Sequence, residues 1–230
     1  PGLDRWSRAL YQAEVQEVDR TIGRFLDELK AVGLYDKALI VFSSDHGEEF
    51  AKHNKYGHGQ SLYNELVRVP LVIKVPQAKT AMRVERLVST VAIAPTIFDL
   101  AAIPFDEALF SAKSLRSAWS LPDGSSPEPP VFMTGVGEGE PAEAVVWENF
   151  KFLRWLNIDH EELYDLDSDP MEQANVAASR PQEVAIGKAL LADHAEREAK
   201  RAEARGLGVP KREPLTPDAE RLLRGLGYLQ

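Results

Sequence analysis

The chain has no cysteine among its 230 residues. Disulfides, thiolate metal sites and a cysteine nucleophile within this stretch are therefore excluded, and either redox compartment remains open. It also lacks a basic surplus: 27 Lys and Arg stand against 36 Asp and Glu, a net charge of −9. A dedicated nucleic-acid binder would show the opposite balance. No apolar run approaches the roughly 20 residues that cross a bilayer, and the start lacks a charged-then-apolar secretion signal. There is no methionine at the start either; Pro1 leads almost directly into helical spacing, as expected of a cut through a longer protein. What is present is an ordinary globular composition, 44% apolar and 27% charged, long enough for a sizeable core.

Apolar residues at Leu10, Val15, Val18, Ile22, Phe25, Leu26 and Leu29 predict a helix from about Arg8 to Val32, with Gly33 as its stop. The run 38–43 is short, apolar and partly β-branched, which predicts a strand covered on both faces. A loop rich in Lys, His and Gly follows over about 51–60, then a helix opening with Ser61 as N-cap, then a buried strand over 69–75. A further helix is expected at 94–102 with Pro95 in its first turn, and loop at 103–130. Short antiparallel strands are expected at 131–133, 144–147 and 150–155, a helix at 181–204, and a last short helix ending at Gly225 or Gly227. The expected division is 1–125, an α/β domain; 126–205, a small antiparallel sheet with a helix; and 206–230, a linker and docking helix.

The chemistry-bearing run is Ser44-Asp45-His46-Gly47-Glu48-Glu49-Phe50, directly after the first strand. Ligands of open α/β sheets gather at the C-terminal strand edge, where Asp45 and His46 can converge on one ion. The alternative is a surface turn with Asp45 capping a following helix. Gly47 would let the backbone approach whatever the pair holds. Glu48 and Glu49 read as solvated residues of a first helical turn. His58, between Gly57 and Gly59, is placed to hydrogen-bond an anion, protonate a leaving group or bind metal, against the plainer reading of an exposed loop histidine. His53 has the same plain reading and less to oppose it, and Lys52 and Lys55 read as solvated. Arg68 reads as structural, His160 and His194 as non-catalytic, and Trp147, Trp155 and Tyr164 as the core of the small sheet.

Six segments in order resemble the sulfatase branch of the alkaline-phosphatase-like superfamily. They are 39–48, 57–63, 68–73, 93–100, the run Glu162-Leu163-Tyr164-Asp165-Leu166-Asp167-Ser168-Asp169-Pro170 with Asn175 beyond, and 223–229; the helix holding Val18-Asp19-Arg20-Thr21-Ile22-Gly23 precedes them. The resemblance implies the C-terminal part of an α/β/α sandwich followed by a small antiparallel sheet packed by a helix. It implies Asp45 and His46 as ligands of one divalent ion, calcium first with manganese or zinc open. It also implies His58 at the ester or leaving group; His53 is kept beside it as a lesser candidate substrate contact. The family's nucleophile, a formylglycine, and its other aspartate ligands are expected upstream, in the other half of the same polypeptide. The chain departs from the pattern at Ala92, where many members have aspartate, and at Ala51, Lys52 and Asn54, in a loop usually richer in glycine.

The activity this implies is metal-dependent hydrolysis of a sulfate ester. A phosphodiesterase or a phosphoethanolamine or phosphoglycerol transferase is the alternative on the same scaffold, acting on phosphate esters. A non-catalytic structural fragment is the reading of another class, and residues 1–230 alone are expected to bind metal weakly and not to turn over. Export, a periplasmic location or a membrane anchor would come from upstream sequence.

Overall fold

The computed structural model describes residues 2–119, 128–135, 141–207, 217 and 221. Two compact units divide the chain: one of 1–58 with 65–128, the other of 59–64 with 129–230. The expected helix ending at Gly225 or Gly227 and the segment 223–229 lie outside the described residues.

The first unit opens with α1 (Gly2–Ala31). It stops where expected, because Gly33 adopts φ +70°, Gly33 N donates to Lys30 O and Leu34 N to Leu29 O. This is the paired closure that a left-handed residue after a helix permits. Its apolar positions hold helical spacing, yet Trp6, Leu10, Val15, Val18 and Phe25 are exposed. Strand β1 (Ile40–Ser43) runs antiparallel to β4 (Leu71–Lys74), with Phe42 opposite Val72. These facing partners are 40% and 58% exposed, so the expectation of strands covered on both faces is corrected. Among the described residues the pair is a two-stranded ribbon, and partners on one face share its exposure.

Between them lies a small hairpin, β2 (Glu49–Phe50) with β3 (Tyr56–Gly57). It is held against α1 by Arg8, whose Nη2 donates to Phe50 O at 2.8 Å, and by Tyr11, whose ring meets that of Phe50 edge-on at 5.2 Å. The helix expected to open at Ser61 begins three residues later, as α2 (Asn64–Val67). Ser61 Oγ accepts from Tyr63 N instead, and Asn64 N donates to Glu172 Oε2 at 2.6 Å. A long-range carboxylate thus does the capping that a local hydroxyl was expected to do. Helix α3 (Ile93–Leu100) carries Pro95 in its first turn, and the expected loop beyond it contains two single 3-10 turns, Glu107–Leu109 and Leu115–Ser117.

The second unit is an antiparallel meander of β5 (Val131–Gly135), β6 (Ala142–Trp147), β7 (Phe150–Trp155) and β8 (His160–Asp165). Helix α4 (Pro181–Ala204) packs on it with the bounds read from sequence, opened by a proline where its missing N–H does no harm. Val145, Trp147, Phe152, Leu163 and Leu191 form the core. A Cβ at Gly187 would meet the Phe152 ring at 2.7 Å, so glycine brings helix and sheet close together. Trp147, Trp155 and Tyr164 are core residues, as expected.

Strand β8 lies beyond the strands expected from the sequence. Its buried Glu162 is held by Tyr63 Oη at 2.9 Å, Tyr164 Oη at 2.7 Å and His160 Nε2 at 2.9 Å. Burial, then the Glu162 carboxylate, pushes both phenols up from their ordinary range. Asn175 Oδ1 accepts from Leu163 N and Ala177 N, tying the turn after β8 back to the strand.

Candidate metal centre

Strand β1 delivers its last residues to a tightly fastened turn. Ser43 Oγ donates to Pro70 O at 2.9 Å and Ser44 Oγ to His46 O at 2.6 Å. Asp45 Oδ1 accepts from its neighbour, His46 N, at 3.0 Å, and β2 rather than a helix follows. The helix-capping reading of Asp45 therefore falls. His46 Nδ1 lies 2.8 Å from Gly47 O. A carbonyl oxygen only accepts, so Nδ1 carries the hydrogen and Nε2 keeps its lone pair for an external partner. Asp45 Oδ2 is 3.8 Å from that Nε2.

Gly47 is required, though by protein rather than ligand. A Cβ there would fall 2.0 Å from Glu65 O, and Gly47 N donates to Leu66 O at 2.7 Å. The expected close approach is to the α2 backbone.

The hairpin then sorts its side chains by parity. Glu49 pairs with Gly57 and Phe50 with Tyr56; the same register carried one residue outward sets Glu48 opposite His58. Glu48 Oε2 lies 3.1 Å from His58 Nδ1, and the His58 ring stacks on that of His46 at 4.2 Å. His46, Glu48 and His58 each offer one ligand atom within 4.8 Å of the others. Successive strand residues face opposite ways, and Glu49 belongs to a second group with His53 and Glu65. There His53 Nδ1 lies 3.0 Å from Glu65 Oε1 and Lys52 Nζ 3.4 Å from Glu65 Oε2.

Several plain readings are corrected by this geometry. Glu49 is 1% exposed, in a strand, and not a solvated helix residue. Glu48 is half-buried against His58 rather than capping a helix. His53 and Lys52 are mostly buried on Glu65 and are not solvated loop residues. The sequence signal that could have found Glu48 is the length of the hairpin: Asn54 marks its turn, and counting outward from it pairs 48 with 58. Arg68 is exposed, and His194 stacks on Phe132 at 3.9 Å.

The sulfatase family model matches residues 4–103. Arylsulfatase K of Xenopus laevis is 29% identical over 188 residues, which cover 77% of this chain and 35% of that protein. A Bacteroides thetaiotaomicron chain assigned as a sulfatase superposes with TM-score 0.75 at 26% identity, over 94% of this chain and 47% of the other. Over residues 4–103 the chain is similar to the sulfatase family. Its fold is the alkaline-phosphatase-like one of its sulfatase neighbours. A phosphonate monoester hydrolase of Agrobacterium radiobacter is also similar, with TM-score 0.62 and 28% identity over 86% of this chain and 41% of that one. This chain spans about a third of the length of the curated relative it matches. Sulfatases generally use a metal ion and a formylglycine. Two imidazoles and two carboxylates within reach of the turn after β1 suit a divalent cation, nitrogen donors favouring transition ions and oxygens the harder ones. Among the described residues no helix is long and apolar enough to cross a membrane.

Proposed function

We propose that the full-length protein is a metal-dependent sulfuric ester hydrolase, to which this chain contributes Asp45 and His46 as metal ligands and His58 as the group facing the ester. The observation that carries this reading is the stacking of His58 on His46, which brings a loop histidine 12 positions away to the strand-end pair. A bound divalent ion supplies Lewis-acid polarisation of the ester oxygens. The chain's own residues do the rest of their share. His46 is held in one tautomer by Gly47 O, Asp45 adds a carboxylate beside it, and His58 presents an imidazole to hydrogen-bond the ester or protonate the departing oxygen. His53 is assigned a supporting role, since Glu65 occupies its Nδ1. The nucleophile belongs to sequence upstream.

The test is Asp45→Ala and His46→Ala in the full-length protein. Both are expected to abolish turnover of an aryl sulfate and to lose metal by elemental analysis; full metal content in both removes the ligand assignment. His58→Ala is expected to keep the metal and lower turnover by roughly 10²–10⁴. An unchanged rate removes His58 from the site. A higher kcat/KM on an aryl phosphate or phosphonate ester than on the sulfate would transfer the reading to phosphorus chemistry.

A further inference from the structure

His58 stands between two glycines at φ +84° and +81°. Neither contributes a side chain to hold the imidazole, and both allow the backbone to turn sharply on either side of it. A histidine so placed would rotate about χ1 and χ2 unless something across the hairpin fixed it. Two groups do. The ring of His46 lies against one face at 4.2 Å with the planes 25° apart. Glu48 meets the edge, its Oε2 3.1 Å from Nδ1. This contact agrees with the fold, because the β2–β3 register, carried one residue beyond the strands, sets 48 opposite 58, and residues so opposed share a face.

We propose that Glu48 is a positioning residue for His58. Its carboxylate accepts the Nδ1 hydrogen, fixes the tautomer and ring orientation, and leaves Nε2 as the nitrogen turned to the ester. An ionised carboxylate has no hydrogen to donate, so the hydrogen in this contact sits on the imidazole. Partners of this kind on a functional histidine are worth roughly 10–100-fold in affinity or activity when removed. The inference rests on the reading of His58 as the substrate-facing group. It differs from a reading of Glu48 as a third metal ligand with His46 and His58, in which the carboxylate would be lost to the ion and Glu48→Ala would shed metal.

The experiment uses the full-length protein labelled with ¹⁵N-histidine, with His58 assigned by its absence in His58→Ala. Long-range ¹⁵N–¹H correlation reads which nitrogen bears the hydrogen. The Nδ1–H tautomer is expected in the parent and in Glu48→Gln, whose amide oxygen still accepts, and is expected to be lost in Glu48→Ala. Glu48→Ala should lower kcat on an aryl sulfate roughly 10–100-fold, keep its metal, and be restored in good part by Gln. Introduced into His58→Ala, it should cost nothing further, since a residue acting through His58 has nothing left to act on. An Nε2–H tautomer in the parent, an unchanged tautomer in Glu48→Ala, a full additional loss in the His58→Ala background, or lost metal would each overturn the proposal. Absence of sulfate-ester turnover in the parent would overturn the function reading instead, and the tautomer would still decide what Glu48 does to His58.

Discussion

The two units use charge and apolar surface in opposite ways. In the second, Val145, Phe152 and Leu163 are fully buried, and Lys151 and Glu172 form an ion pair at 2.6 Å with neither side chain exposed. In the first, Trp6, Leu10, Phe25 and Val72 each keep more than half their surface open. Its polar groups at the turn after β1 are part-exposed: 33% for His46, 29% for His58 and 25% for Glu48. A pair sealed from solvent can serve only the fold, because no solute reaches it. Half-buried groups grouped on a hairpin are fixed by their neighbours and still open to a ligand. With the chemistry proposed for the first unit, stability and chemistry would occupy different units, and substitutions should separate them.

The largest effect on stability should come from Lys151→Ala. It leaves Glu172 buried without its cation, and Asn64 Oδ1 loses the donor it accepts from at 3.0 Å. Removing one partner of a buried pair costs about 3–5 kcal/mol. In the full-length protein the denaturation midpoint should fall accordingly, while metal content per folded molecule stays unchanged. The paired change Lys151→Met with Glu172→Leu should recover most of the loss. A midpoint drop accompanied by lost metal would show that the units are not separable in this way.

The same division explains what could be read in advance. Helix α4 was legible to the residue because its proline start and long helical spacing are local signals, and α1 because Gly33 ends it by a local conformational need. The strand pair Asp45 and His46 sits at was legible as an apolar run, but its open face was not, since exposure depends on what packs against a strand. Strand β8 was missed because His160, Glu161, Glu162 and Asp165 carry no apolar alternation. It is a strand because β7 supplies a pairing edge and two tyrosines and a histidine satisfy Glu162. The hairpin escaped for a different reason: two residues per strand are too few for any period. Asp45, His46 and His58 could be singled out by type and position, whereas the roles of Glu48, Glu49 and Glu65 depend on register and on α2.

A smaller effect should distinguish the two polar groups of the first unit from each other. Glu65→Ala removes the carboxylate shared by His53 and Lys52 on the Glu49 side of the hairpin. Leaving part-buried polar partners unsatisfied costs about 1–3 kcal/mol. Metal content should hold, because Lys52 already supplies a cation to that group and the ligands proposed are on the other side. Metal lost from Glu65→Ala, and retained in His46→Ala, would exchange the two assignments.

The smallest effect concerns acidity in the second unit. His194 on α4 stacks flat on Phe132, and burial, the leading cause, holds its pKa below the ordinary histidine value. Arg197 and Arg201 push the same way, while Glu198 and Asp193 oppose them. The folded state therefore binds the proton less readily than the unfolded chain. Its contribution is fully present above the ordinary histidine pKa of about 6.5 and declines as pH falls through and below that value. His194→Gln should flatten this part of the stability profile between pH 7.5 and 5.5, read by denaturant midpoints at matched ionic strength. Because the second unit is assigned no chemistry, the pH dependence of ester hydrolysis per folded molecule should not move. A shifted rate profile in His194→Gln would mean that α4 communicates with the histidines at the β2–β3 hairpin, and the division of labour between the units would have to be redrawn.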